Sequence, residues 1–180
     1  MDDIVDFRVA CCRAAVETFP PDREVAVIYN SIDPARVVPR GGRDYVRAGW
    51  GMKPEDQVAL FMGRFVDEKH PDALIQAVGS LPENYKVVLC SEGHRKESLY
   101  REAQRYLPDR VLFIEPQFHV GDILAASDVF CLISDFEGQP LAVLEAWLAG
   151  VPVVCSEYTN AVELREEFGP LATYVDLCPS

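Results

Sequence analysis

Short apolar runs alternate along this chain with longer segments whose apolar residues recur at helical spacing. An apolar run without polar interruption is typical of a strand that is buried on both faces. Apolar positions three and four residues apart are typical of a helix with one buried side. The apolar runs predict strands at 25–29, 58–62, 85–90, 111–114, 129–133, 151–154 and 172–175. The helical spacing predicts helices at 71–81, 94–107, 120–126 and 139–149, and one more that starts at Asn160 with Glu163 in capping-box style.

From residue 57 onward the predicted strands and helices alternate, with no internal repeat and no low-complexity tract. Such alternation predicts an α/β fold with a doubly wound, mostly parallel six-stranded sheet that carries helices on both faces. In this interpretation residues 1–24 are a lead-in, weakly helical over 4–18, and residues 25–180 form one Rossmann-like domain. Residues 35–56 are polar and rich in arginine and glycine, which predicts a surface connection.

The stretch from 128 to 155 carries the strongest signal for chemistry. Its order of strand, loop, helix and strand predicts a parallel βαβ unit whose helix is stopped by Gly150. The helix is apolar on all sides, which predicts burial, yet Glu145 stands in its middle. A buried carboxylate is costly unless it is paired. Either Glu145 has a cationic partner, or it lines a pocket and binds hydroxyl groups.

A second carboxylate, Glu137, precedes Glu145 by eight residues and lies in the loop before the helix. Eight residues of helix span about 12 Å, so the two carboxylates can hold opposite parts of one elongated ligand. Backbone N–H groups over 138–141 lie at the helix start and are donors for an oxygen-rich ligand, except at Pro140. The alternative is an ordinary first-turn acid at Glu137 and a structural ion pair at Glu145.

Two cations follow the predicted strand at 58–62. Gly63 allows a ligand to approach the backbone, and Arg64 and Lys69 come next, near a helix start. Cations at the carboxyl end of a parallel strand suit a diphosphate, because one offers a fork of donors and the other a point charge. The alternative is that both are surface charges paired with the neighbouring acids, Asp67 and Glu68.

Composition and charge narrow the classes of partner. The net charge of −12 argues against nucleic acid, which needs clustered lysine and arginine, and against an anionic membrane surface. No apolar run reaches the length of a membrane span, and the acidic N-terminus lacks a signal-peptide pattern. Among six cysteines without metal-ligand spacing, Cys90, Cys131 and Cys155 lie in or beside predicted strands. We therefore expect a cytoplasmic protein with reduced thiols.

The sequence lacks the motifs of several other enzyme classes, namely GxGxxG, the P-loop, GxSxG and HExxH. Its three histidines, His70, His94 and His119, are scattered. His70 follows Lys69 directly, and a solvated imidazole is favoured there over a phosphate ligand.

Four segments in order resemble one family. They are NSID at 30–33, Gly63-Arg64 with Glu68-Lys69, Ser91-Glu92-Gly93, and EGQPLAVLE at 137–145 followed by GVPVV at 150–154. Over roughly residues 20–176 the chain is similar to the carboxyl-terminal half of the retaining family 4 (group 1) glycosyltransferases. These enzymes have the GT-B architecture of two Rossmann-like domains. The E-x7-E spacing with the preceding arginine and lysine is the most specific part of the resemblance.

The resemblance implies a donor site for a nucleotide diphosphate sugar, linked to UDP, GDP or ADP. Arg64 and Lys69 would hold the diphosphate and stabilise the leaving group. Glu145 would bind the ribose, and Glu137 with the following backbone would hold the donor sugar. The implied catalytic residues are Arg64, Lys69 and Glu137. The implied donor-binding residues are Gly63, Arg64, Lys69, Glu137, Gly138, Gln139, Pro140, Leu141 and Glu145. The family retains the anomeric configuration and needs no metal or other cofactor.

Departures from the family pattern qualify these expectations. Ser31 and Ser91 stand where glycine is usual, and Gln139-Pro140 replaces a commoner aromatic-glycine pair, which leaves the sugar open. The family's amino-terminal domain, which binds the acceptor, has no counterpart here, so we expect a donor-binding fragment of a longer protein that is inactive alone. The alternatives are a non-catalytic nucleotide- or sugar-binding module and a GT-B-like sugar epimerase or phosphorylase.

Overall fold

The computed structural model describes residues 7–22, 24–157, 161–169 and 172–175. Two short strands, β1 (Val9–Ala10) and β2 (Ala26–Val27), come first and pair with each other in parallel. Six further strands form the main sheet: β3 (Gln57–Met62), β4 (Tyr85–Cys90), β5 (Val111–Ile114), β6 (Val129–Leu132), β7 (Val153–Ser156) and β8 (Thr173–Val175). All of their pairings are parallel, and their order is β5-β4-β3-β6-β7-β8. This confirms the predicted six-stranded α/β sheet.

Helices connect the strands, and 3-10 turns cover Pro34–Arg36 and Asp67–Lys69. The helices are α1 (Arg13–Val16), α2 (Arg43–Gly49), α3 (Pro71–Gly79), α4 (Lys96–Tyr106), α5 (Gly121–Ala125), α6 (Leu141–Leu148) and α7 (Ala161–Phe168). From β3 the chain moves through α3 and α4 to one edge, and from β6 it moves through α6 and α7 to the other. Because parallel crossovers share one hand, the two helix pairs cover opposite faces.

The central strands explain the uninterrupted apolar runs. β3 and β4 have neighbours on both sides and helices on both faces, so successive side chains are buried whichever way they point. Side chains that are at most 1% exposed in these two strands are Val58, Leu60, Phe61, Val87, Val88 and Leu89. The predicted apolar runs were correct because both faces of these strands are buried beyond their first residues.

Most predicted boundaries differ from the structure by one or two residues, and backbone chemistry explains the differences at α6 and β7. Helix α6 begins at Leu141 and not at 139, because Pro140 is extended, with φ −69° and ψ 115°. The strand predicted at 151–154 is Val153–Ser156. Gly150, with φ +73°, ends the helix, and Val151 donates its N–H back to the carbonyl oxygen of Ala146 at 2.9 Å. The chain therefore enters the sheet only after Pro152.

The segment 35–56, predicted as a surface connection, is mostly exposed, but it is more than a connection. The segment contains α2, and Arg47 in that helix is only 5% exposed. Its guanidinium donates to the carbonyl oxygens of Ala126 and Asp56, both at 2.8 Å, and to Asp128 Oδ2 at 2.6 Å. A buried arginine with these partners fastens the segment to the amino-terminal ends of β3 and β6.

The lead-in is part helix and part strand. Residues 4–6 of the predicted weak helix lie outside the described residues, and 7–18 contain β1 and the four-residue α1. Because β1 pairs with β2, the predicted boundary at 24/25 falls between two paired strands. The division into two parts stays a prediction.

Glu163 fastens this lead-in to the far end of the chain. Its carboxylate accepts the N–H groups of Arg13 at 2.9 Å and Ala14 at 3.2 Å, and the hydroxyl of Tyr29 at 2.6 Å. Burial alone would raise the pKa of Glu163, but these hydrogen bonds hold it below its ordinary value. The same contact raises the pKa of Tyr29 to about 12. Glu163 thus caps α1, while Asn160 of the predicted capping box lies outside the described residues.

Candidate functional site

The loops after β3 and β6 lie side by side at the carboxyl edge of the sheet. These two strands are neighbours, and from them the chain winds outward in opposite directions. Such a reversal opens a crevice outside the strand ends, which is where open α/β sheets bind ligands. We call residues 63–70 the first loop and residues 133–140 the second loop. All predicted site residues except Leu141 and Glu145 fall in these two loops.

Backbone hydrogen bonds hold the two loops together. The carbonyl oxygen of Glu68 accepts the N–H of Asp135 at 3.0 Å and the hydroxyl of Ser134 at 3.1 Å. Ser134 is fully buried and exchanges two hydrogen bonds with Ser156 of β7, at 2.8 and 2.6 Å. The second loop is therefore anchored from below by β7 and from the side by the first loop.

Lys69 and Glu137 form an ion pair across the crevice. Their side chains are only 14% and 12% exposed, so water screens the pair weakly. The structure thus brings together two of the three predicted catalytic residues. The alternative that pairs Lys69 with Asp67 or Glu68 is wrong, because the backbone turns Lys69 towards the second loop instead.

Arg64 is placed differently. Its side chain is 74% exposed, and its guanidinium lies 3.9 Å from the carboxylate of Glu68. This agrees with the surface pairing considered above, and a pair so exposed contributes little to stability. Gly63 precedes it in a tight place, where an added Cβ would lie 3.2 Å from the ring of Phe61.

The Ser91-Glu92-Gly93 turn clamps the first loop from the other side. Phe65 donates its N–H to Glu92 at 2.9 Å and accepts the N–H of Arg95 at 3.1 Å. Gly93 has φ +154°, and an added Cβ would lie 2.4 Å from the carbonyl oxygen of Phe65. The close backbone approach in this turn therefore depends on Gly93.

The start of α6 is shaped by its contacts with the first third of the chain. Gln139 is 5% exposed; its side-chain oxygen accepts the N–H of Asn30, and the Asn30 amide donates to its carbonyl oxygen at 2.9 Å. Gln139 thereby fixes the NSID segment. An added Cβ on Gly138 would lie 3.0 Å from the sulfur of Cys11, so this thiol packs against the second loop. Pro140 caps the helix, and the side chain of Leu141 is 49% exposed.

Glu145 has the cationic partner that its burial requires. Arg36 donates from Nε at 2.9 Å and from a terminal nitrogen at 2.7 Å, both to Oε1. The carboxylate side chain is 7% exposed and that of Arg36 is 33% exposed. The guanidinium also lies 5.2 Å from the ring centre of Phe118, which is itself 86% exposed. Sequence reasoning missed Arg36 because 109 residues separate it from Glu145.

A cavity lies away from the crevice and is lined by none of the predicted site residues. It has a volume of about 450 Å³ and lies at the opposite, amino-terminal edge of the sheet, lined by residues 50–53, 56, 86 and 108–112. In the described ranges no three His, Cys, Asp or Glu side chains are grouped as a metal site. None of the helices that the structure describes is long and apolar enough to cross a membrane.

Comparisons with known proteins agree on one family and one fold. The family model described as glycosyl transferases group 1 matches residues 43–169. The lipopolysaccharide core biosynthesis glycosyltransferase LpsE of Rhizobium meliloti is 35% identical over 133 residues, which are 73% of this chain and 37% of that protein. The UDP-Gal:alpha-D-GlcNAc-diphosphoundecaprenol alpha-1,3-galactosyltransferase of Escherichia coli is 29% identical over 161 residues, which are 84% of this chain and 42% of that one.

Solved structures show the same fold. The crystal structure of Anabaena HepE in complex with UDP-glucose superposes with a TM-score of 0.83 at 22% identity, covering 94% of this chain and 50% of that one. The lipopolysaccharide-biosynthesis glycosyltransferase WaaG superposes with a TM-score of 0.77 at 21% identity, covering 96% of this chain and 50% of that one. This chain therefore spans about half the length of these two solved chains and less than half of the two curated relatives.

Proposed function

Because the chain belongs to the group 1 glycosyltransferases, we propose that it is the donor-binding domain of a retaining enzyme of that family. The enzyme transfers a hexosyl-type sugar from a nucleotide diphosphate sugar to an acceptor. The observation that carries the proposal is the Lys69–Glu137 pair at the crevice between β3 and β6. One group suits a phosphate and the other suits sugar hydroxyls, and their contact matches a ligand in which a diphosphate is joined to a sugar.

The pair gives Lys69 and Glu137 complementary roles. A diphosphate that approaches Lys69 competes with Glu137 for the ammonium group. Glu137 then gains acceptor capacity for hydroxyl groups of the sugar. Lys69 stabilises the negative charge that grows on the diphosphate as the glycosidic bond breaks. No proton transfer by these two side chains is needed for that step, and none of the proposed roles requires a metal.

Arg64 and the start of α6 supply further contacts with the diphosphate. The Arg64–Glu68 pair is long and exposed, so it costs little to break when the guanidinium turns to a phosphate. At the helix start Val143 and Leu144 both donate to the carbonyl oxygen of Pro140. The N–H groups of Leu141 and Ala142 come two residues earlier, in the first turn of the helix, and form part of the positive end of the helix dipole.

Glu145 is proposed to bind the ribose. Both contacts from Arg36 fall on Oε1, and the second carboxylate oxygen can accept a ribose hydroxyl. A uridine nucleotide is the first donor to test, because HepE was crystallised with UDP-glucose and the Escherichia coli relative is named for UDP-Gal. The acceptor is proposed to bind an amino-terminal domain that is not part of this chain, in a cytoplasmic enzyme.

The experiment is a thermal-shift series with UDP, GDP and ADP. Ligand at ten times its Kd stabilises by about 1.4 kcal/mol, which is roughly 3–5 °C for a chain of this size. We expect a shift with one nucleotide that is lost in Lys69→Ala and in Glu145→Gln. The matched control is Lys86→Ala, which removes a lysine from the amino-terminal half of β4 and should keep the shift. An equal shift in all four proteins would contradict the proposed site.

Binding alone does not separate a transferase from a non-catalytic nucleotide-binding module. The longer protein that includes this chain should therefore be assayed for release of UDP in the presence of candidate acceptors. Loss of that release in Lys69→Ala, with Lys86→Ala unaffected, is the expected result for the transferase.

A further inference from the structure

His70 has an unusual backbone conformation at the end of the first loop. Its φ of +38° and ψ of +49° are left-handed, and it is the one non-glycine residue with positive φ among those the structure describes. It donates its N–H to Asp67 at 3.1 Å and accepts the N–H of Ala73 at 3.0 Å. It therefore joins the 3-10 turn to α3. Glycine adopts this conformation without strain, so a histidine here indicates a role for the imidazole.

The imidazole reaches across the crevice. Its Nε2 lies 2.7 Å from Oδ1 of Asp135 in the second loop. The two side chains are 34% and 57% exposed, and a pair this exposed contributes little to folding stability. A contribution to folding stability therefore does not explain the contact, and positioning of a neighbouring side chain explains it better.

The contact lies beside the proposed phosphate-binding lysine. Lys69 and His70 are adjacent in the first loop, and their partners, Glu137 and Asp135, are two residues apart in the second. When a diphosphate binds Lys69, the ammonium group contacts both the phosphate and Glu137. The His70–Asp135 link uses neither of those groups and remains intact. It then holds the backbone of Lys69 in register with the second loop.

We propose that His70, paired with Asp135, is a positioning residue that holds Lys69 against the terminal phosphate of the donor nucleotide. This inference rests on the proposed function, because it needs a diphosphate at Lys69. From the sequence alone a solvated imidazole is favoured at this position, and the proposal gives that imidazole a role.

The test compares UDP with UMP, which lacks the terminal phosphate, by titration calorimetry. His70→Gly removes the imidazole and suits the left-handed backbone, so its melting temperature should equal or exceed that of the wild type. We expect its preference for UDP over UMP to fall about tenfold, the loss that accompanies one misplaced charge-assisted contact. Asp135→Ala should lose the same preference, and the double variant should lose no more than either single one.

Two further variants sharpen the comparison. Asp135→Asn keeps an oxygen that accepts the imidazole N–H and should lose less preference than Asp135→Ala. His94→Ala is the matched control, because His94 lies 3.7 Å from Asp67 and contacts the first loop without reaching the second. It should keep the wild-type preference.

The outcomes separate this inference from the proposed function. If Lys69→Ala loses the preference for UDP and His70→Gly keeps it, the positioning role is overturned while the donor site stands. A melting temperature of His70→Gly well below the wild type would assign the residue to folding and also overturn it. If the wild type itself shows no preference for UDP over UMP, the proposed function fails, and this inference with it.

Discussion

Replacing Arg36 by methionine tests whether Glu145 is held in α6 as a charged group. The substitution keeps an unbranched apolar side chain close to the arginine stem in length and removes the cation. The carboxylate of Glu145 is then left 7% exposed in an apolar helix without its ion partner. Burial of an unpaired charge is among the costliest changes that a fold can accept. We therefore expect Arg36→Met to be clearly less stable than the wild type.

The structure sets the magnitude. Removing one partner of a fully buried ion pair costs about 3–5 kcal/mol. Arg36 is 33% exposed, so water can replace part of what the guanidinium supplies, and we expect about 2–3 kcal/mol after that discount. For a domain of this size the melting temperature should fall by about 4–12 °C.

The assay is thermal and urea unfolding of three variants: Arg36→Met, Glu145→Met and the double substitution. Glu145→Met should cost less than Arg36→Met, because the guanidinium that it leaves unpaired can reach water. The double variant should recover most of the loss, since an apolar pair of similar volume often replaces a buried ion pair without penalty.

The matched control is Arg101→Met. Arg101 pairs with Glu97 one helical turn away, and both side chains are at least 69% exposed. Exposed pairs of this kind contribute about 0.3–0.5 kcal/mol. If Arg36→Met proves no less stable than Arg101→Met, Glu145 is not a buried charge that depends on Arg36, and the reasoning is refuted.

Three further predictions concern the frame around the site. Gly93→Ala should destabilise by about 2–4 kcal/mol in urea unfolding, because its Cβ would meet the carbonyl oxygen of Phe65 at 2.4 Å; unchanged unfolding would contradict that. Arg47→Met should cost about 3–5 kcal/mol, whereas Arg43→Met, whose side chain is 40% exposed, should cost about 1 kcal/mol; equal losses would contradict the difference in burial. Burial raises the pKa of Asp128, but the N–H of Val58 and the two guanidinium groups outweigh it and hold the pKa below its ordinary value. The resulting stability is present above the unfolded pKa of about 3.9 and is lost as pH falls through the folded pKa. The wild type should therefore lose more unfolding free energy than Asp128→Asn as the pH falls from about 5 to about 3, because only the wild type has this carboxylate to protonate. Urea unfolding at both pH values measures the two losses, and equal losses would contradict the prediction.

The sequence was sufficient for the sheet because its central strands are buried on both faces over most of their length. No polar residue interrupts β3 from Val58 to Met62, so the strand is easily recognised in the sequence. The position of the first and second loops followed from the same logic, since the carboxyl ends of parallel strands meet at one edge. The roles of individual residues there came from the family resemblance and stay proposals.

The partners of charged residues were what the sequence predicted least well. Arg47 was assigned to a surface connection, and Arg36 was not noticed, because an arginine looks the same in sequence whether its guanidinium reaches water or a carboxylate. One alternative paired Lys69 with its sequence neighbours, but its partner Glu137 is 68 residues away. Such pairings are decided by the order of strands in the sheet, which periodicity does not specify.

The three hydrogen bonds that Glu163 accepts have a consequence for how the chain folds during its synthesis on the ribosome. The carboxylate lies 150 residues after the Arg13 N–H that it accepts. At 5–20 residues per second, roughly 8–30 s pass between the synthesis of donor and acceptor. Helix α1 has four residues and cannot persist alone. The early segment therefore stays unfixed in the nascent chain until α7, which carries Glu163, has been synthesised and holds it in place.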